Sequence, residues 1–191
     1  MNEDRHKVDT IFYLRKKPLL VVTTSDLPYG KNKIVTRTDT LIWQPSGLIN
    51  YNPHPDHLKI EQINFTTTSC YGTCPVFQLT ISPDKSAAFN GIRYNTVTGK
   101  FKSTIDKSTY KQLIKTINSI KLTALKNDYD VDWTDDQSVK LEIKYNNGQV
   151  KKIDDYGAIG TFGLENLYNQ LFAIAKTQHW EKDESPESTQ K

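Results

Sequence analysis

At 191 residues, 36% hydrophobic and 25% charged, the chain is long enough for one generous soluble domain, or for one domain with an extension. A net charge of +3, with lysines interspersed among acidic residues, argues against nucleic acid as a partner, and no apolar run approaches the roughly 20 residues that cross a bilayer. Two cysteines are too few for a disulfide framework and too few to fix the redox compartment.

Residues 1–8 are polar and charged and lack the apolar stretch of about 7–15 residues that a signal peptide needs. A complete chain of this kind is expected in the cytoplasm. A trimmed mature form is expected in the periplasm or cell envelope.

Residues 10–14 and 19–24 read as short strands, rich in β-branched and aromatic side chains and separated at Pro18. Asp26-Leu27-Pro28-Tyr29-Gly30 is a turn cluster. Residues 33–43 alternate, but neither face is cleanly apolar, which predicts an edge strand or one that pairs outside its own sheet. Residues 45–57, with three prolines and a glycine, read as a loop or linker, so residues 1–58 form a β-rich extension. Within that linker, His54 and His57 are weak zinc candidates. Pro55 prevents the helix that would bring them to one face, and no third ligand stands nearby.

The main domain is expected over residues 59–180. Residues 59–68, 76–82, 86–94 and 100–105 read as an antiparallel meander, with Pro83-Asp84 and Thr98-Gly99 as turns. The period then changes. Tyr110, Leu113, Ile114, Ile117 and Ile120 fall on one helical face, with Asp106 placed to accept from the free amides of the first turn. The acidic stretch that follows begins Asp128, Asp130, Asp132, as a calcium loop does. Trp133 stands where that loop needs glycine and Val139 where it needs glutamate, so a solvated loop anchored by Trp133 is expected. Val139, Leu141, Ile143 and Tyr145 alternate cleanly, and Asn147-Gly148 predicts a hairpin back through residues 149–154. In that return strand Val150 and Ile153 are out of phase, which suggests a bulge. Leu164, Leu167, Tyr168, Leu171, Phe172 and Ala175 form the stripe of a second helix, and residues 181–191 read as a disordered tail. The fold class is therefore α+β: a meander and a C-terminal hairpin in an antiparallel sheet, with two helices on one face.

Between the first two strands of the meander lies Cys70-Tyr71-Gly72-Thr73-Cys74-Pro75. Three readings of its cysteines compete. They bridge a tight turn, with Gly72 supplying permissive backbone and Pro75 opening a strand where a missing N–H costs little. They pack as two free thiols. Or they carry redox or metal chemistry, against which stand the C-x-x-x-C spacing and the strand, rather than a helix, that follows Pro75. Extended to Val76-Phe77, and with the later strand Phe89-Asn90-Gly91, this stretch resembles a bacterial domain family of unknown function. That family carries a Cys-Tyr/Phe-Gly-x-Cys-Pro signature, is common in Bacteroidetes-type bacteria and often sits on exported or lipid-anchored chains. The likeness covers residues 60–175 and implies no activity.

No G-x-S-x-G, G-x-x-x-x-G-K or H-E-x-x-H motif is present. The expected function is a non-catalytic binding or interaction module with a protein partner and no cofactor, acting at the cell envelope. The alternatives are a thiol-dependent redox protein using Cys70 and Cys74, and a metal-dependent hydrolase or calcium-dependent binder using the acidic loop.

Overall fold

A computed structural model describes residues 6–26, 34–131 and 133–184. The turn expected at residues 26–30 falls largely outside these residues, as do Asp132 and most of the C-terminal tail. Among the described residues the strands form two sheets. The first contains β1 (His6–Leu14), β2 (Lys17–Asp26), β3 (Val35–Gln44) and β4 (Gly47–Asn50), antiparallel and in chain order. The second contains β5 (Ile60–Thr67), β6 (Val76–Ile81), β7 (Ser86–Arg93), β8 (Gly99–Thr104), β9 (Asp128–Tyr129), β10 (Ser138–Tyr145), β11 (Gln149–Tyr156) and β12 (Glu181–Lys182). Its order is β12-β8-β7-β6-β5-β10-β11-β9. Helices α1 (Lys107–Ser119) and α2 (Phe162–Thr177) complete the α+β fold.

The large sheet follows from strict alternation. Ile63, Phe65, Phe77, Leu79, Ile81, Phe89, Val139, Leu141 and Ile143 point to one face and are buried there with Leu113 and Ile117 of α1 and Leu164, Leu167 and Leu171 of α2. On the opposite face, Lys140 pairs with Asp154 and Glu142 with Lys152, each across one register position. Asp106 caps α1 by accepting from the amides of Ser108 (2.8 Å) and Thr109 (3.0 Å). The Ser108 hydroxyl donates to it as well, and the Ser108 and Thr109 side chains, followed by these amides, hold its carboxyl well below the usual carboxylate range.

Several expectations need correction. The large sheet is mixed rather than antiparallel throughout, because β9, inside the acidic stretch, runs parallel to β11. Pro18 does not separate β1 from β2 but lies within β2; the turn is Arg15-Lys16, both at positive φ. β3 is not an edge strand but lies between β2 and β4. Its mixed faces reflect a sheet partly exposed on both sides, with Leu41 buried and Trp43 exposed. The segment read as linker contains β4, whose Ile49 is buried. The hairpin turn spans Asn146, Asn147 and Gly148, all at positive φ, rather than two residues. β11 pairs with β10 without a break. It needs no bulge because Val150 belongs to the outer face, while Ile153 and Asp155 set the inner one. Glu181–Lys182 pairs with β8, so the chain stays ordered past the point where the tail was expected to begin.

The N-terminal sheet is fastened along its β4 edge. The Asn166 side chain in α2 donates to the carbonyls of Ser46 (2.8 Å) and Leu48 (3.4 Å), and the Gly163 amide donates to Asn50 Oδ1 (3.2 Å). These bonds satisfy backbone groups that an open strand edge would leave to solvent.

Candidate functional site

The cysteine turn is a bridged corner between β5 and β6. Cys70 and Cys74 are joined as a disulfide, with Cα atoms 5.8 Å apart. Buried polar side chains brace it. Thr67 Oγ1 donates to the Pro75 carbonyl (2.7 Å) and accepts from the Phe77 amide (3.0 Å). Gln137, nearly inaccessible to solvent, donates from Nε2 to the carbonyls of Thr68 and Pro75, both at 2.8 Å. The Tyr71 amide donates to the Asp135 carbonyl (3.0 Å), while the Tyr71 side chain projects outward, 90% exposed. Gly72 does not lie in the left-handed region, and a methyl group there would meet Cys70 Sγ at 3.6 Å, an ordinary contact.

A bridge closing so short a loop restricts little of the unfolded chain. Replacing both cysteines by serine is therefore expected to cost about 2 kcal/mol or less, read as a fall in the urea midpoint at unchanged slope. A loss near 5 kcal/mol would mean that the bridge does more than staple this corner.

The weaker candidates lie apart from one another. His54 and His57 are exposed in the segment before β5, where the His54 amide donates to Asn52 Oδ1 (2.9 Å). Asp128 opens β9, Asp130 follows it, and Trp133 Nε1 donates to Asp136 Oδ2 (2.9 Å). Among the described residues no three His, Cys, Asp or Glu side chains converge as a metal site would require.

A cleft of about 500 Å³ lies where the N-terminal sheet meets the end of β11 and the start of α2. Its floor is Asp155. Asp155 is 0% exposed. Its Oδ2 accepts from the Gly160 amide (2.8 Å), and its Oδ1 has no hydrogen-bond partner among the described residues. The Tyr168 hydroxyl faces this carboxylate and acts on it electrostatically, but it completes no hydrogen bond of normal geometry. Burial pushes the Asp155 carboxyl above the usual carboxylate range, against the pull of the Gly160 amide. Burial, followed by the charge on Asp155, pushes the Tyr168 phenol far up as well. Gly160 is required here by close approach: a Cβ would fall 2.7 Å from Asp155 Oδ2 and 3.0 Å from the Tyr129 ring.

The opposite wall comes from the N-terminal sheet. His6, Thr24 and Arg37 occupy one cross-strand row, His6 opposite Thr24 and Thr24 opposite Arg37. His6 Nδ1 lies 2.9 Å from Thr24 Oγ1, and its ring lies 5.2 Å from that of Phe162. Arg37 Nε donates to Asp39 Oδ2 (2.7 Å).

The far edge of the same sheet is unlike either place. Every residue of β1 is exposed, including Val8, Ile11, Phe12, Tyr13 (73%) and Leu14. Among the described residues no strand pairs with its outer side. The two-residue turn makes Leu14 and Lys17 a hydrogen-bonded pair, so Ile11 and Tyr13 direct their backbone N–H and C=O groups away from β2.

A family model described as a domain of unknown function, DUF6438, matches residues 61–175. The match begins in β5 and ends in α2; it takes in the cysteine corner and Asp155 and leaves β1 to β4 outside. No curated protein and no solved structure matches the chain. No helix among the described residues is long and apolar enough to cross a membrane.

Proposed function

The chain belongs to the DUF6438 family of domains of unknown function, and we propose that this member is a non-catalytic interaction module that takes an extended segment of a partner protein along the free edge of β1. The observation that carries the reading is the contrast between the two edges of one sheet. The β4 edge is hydrogen-bonded to α2, whereas β1 presents apolar side chains on an edge open to solvent. Long apolar edge strands invite pairing, and proteins that do not use them blunt them with charge, proline or bulges. β1 is blunted only at its start, where Lys7 faces Asp9 and the register shifts between Val8 and Thr10. Residues 10–14 remain regular, and strand addition there would supply main-chain hydrogen bonds with Ile11 and Tyr13 at the junction. The setting we propose is the bacterial cell envelope, where an oxidising compartment keeps the Cys70–Cys74 bridge closed.

Proline at position 11 tests this. It removes an outward N–H and leaves the β1–β2 ladder intact, a placement that edge strands tolerate. With a photo-crosslinking residue at Tyr13 in cells, a discrete crosslinked protein is expected, and Ile11→Pro is expected to reduce it about tenfold. A crosslink unaffected by Ile11→Pro, or an equal product from a probe at Lys111 on α1, would overturn the reading.

A further inference from the structure

The cleft above Asp155 has two walls of opposite character, and neither is used by strand addition at Ile11 and Tyr13. The floor holds a buried carboxylate oxygen, Asp155 Oδ1, that completes no hydrogen bond among the described residues. Buried polar atoms are nearly always paired, so an orphan on a residue that lines a cleft marks a position that a ligand donor can complete. Three more carboxylates, Asp128, Asp130 and Glu165, line the same cleft and make its potential more favourable to a cation. Across the cleft the charge reverses. Arg37 stands in the His6-Thr24-Arg37 row, its Nε donating to Asp39 Oδ2. A ligand carrying one charge would be drawn to one wall and repelled by the other. A ligand carrying both charges satisfies the two walls together.

We propose that this cleft binds a small zwitterion with an apolar side chain, of the size and chemistry of a free α-amino acid. Its ammonium group donates to Asp155 Oδ1. Its carboxylate meets Arg37, where a guanidinium is suited to bind a carboxylate through paired N–H groups. Its side chain rests on the rings of Tyr129 and Phe162, which line the same space. The volume of about 500 Å³ lies within the range of small-ligand sites. Gly160, whose amide donates to Asp155 Oδ2, is a positioning residue: it fixes the carboxylate that the ligand meets.

Calorimetric titration of the full chain tests the proposal with three probes: L-phenylalanine, 2-phenylethylamine, which lacks the carboxylate, and 3-phenylpropanoate, which lacks the ammonium. Saturable one-site binding of L-phenylalanine is expected, with each singly charged analogue at least about tenfold weaker. Asp155→Asn and Arg37→Gln are each expected to weaken binding by about tenfold or more. Arg37 lies on an exposed part of β3, so its variant decides the matter if Asp155→Asn fails to fold. Ile11→Pro is expected to leave this binding unchanged, which separates it from the edge-strand reading. The proposal is overturned if an analogue binds as tightly as L-phenylalanine or if Arg37→Gln binds undiminished. It is overturned equally if neither L-phenylalanine nor another apolar amino acid saturates the protein by about 10 mM, where affinity falls below what these charge-assisted contacts should provide.

Discussion

Phe65→Ala is expected to destabilise the fold by about 4 kcal/mol, lowering the melting temperature by roughly 12 °C for a chain of this size. Phe65 is fully buried at the centre of β5, in the middle of the large sheet. Its ring lies 5.9 Å from Phe77, 5.7 Å from Tyr168 in a stacked arrangement and 5.3 Å from Phe172 edge-on. Two of these neighbours belong to α2 and one to the adjacent strand, so the ring is the contact through which helix and sheet share a core. Truncation removes the transfer energy of the ring. It also leaves a cavity that the strand ladders on both sides of β5 prevent from collapsing. Phe12→Ala is the control. Phe12 lies on exposed β1, and its loss is expected to stay within about 0.5 kcal/mol. Chemical denaturation of the two variants decides: similar losses would mean that the aromatic cluster is not the centre of the core.

How much of this was legible depends on whether a pattern was local. Phe77, Leu79 and Ile81, or Val139, Leu141 and Ile143, announce a strand because each residue's environment is set by its own position in the alternation. The stripes and the Asp106 cap announce the helices in the same way. β4, β9 and β12 did not announce themselves: at four, two and two residues they exist because a partner strand fixes them. Asp155 was missed through a phase error. Taking Ile153 as the inward anchor puts Asp155, two residues on, inside the core; weighing Val150 equally hides it. Gln137 was missed because a polar residue beside an acidic loop looks solvated until its two carbonyl partners are seen. The cleft itself could not be read from the chain. It needs His6, Thr24 and Arg37 in register across three strands and α2 docked on β4, and register between distant segments is a property of the folded sheet.

Gly91 and Gly72 are expected to behave oppositely, because a methyl group meets backbone at the one and makes only an ordinary contact at the other. Gly91→Ala is expected to cost about 4 kcal/mol, within the range of severe overpacking against a rigid group. Gly72→Ala is expected to cost less than about 0.5 kcal/mol. Gly91 is buried in β7, paired with Phe77 on one side and Gly99 on the other. A Cβ there would overlap the Val97 carbonyl oxygen and press the Phe89 ring at 3.0 Å. The obstacle is backbone, so no rotamer change relieves it. Either the 94–98 turn lifts away, opening the Gly91–Gly99 pairing, or β7 shifts and disturbs Phe89, which stacks on Trp180 at 4.9 Å. The register shift opposite Val76 and Phe77 leaves little slack, because β7 has already accommodated one extra residue beside Gly91. Gly72, by contrast, lies at an exposed corner with room for a methyl group and without a left-handed backbone. Urea unfolding of both single variants gives the comparison. Equal, small losses would mean that the chain passes over Gly91 more loosely than this packing implies. Equal, large losses would mean that the corner at Gly72 carries strain that its geometry does not show.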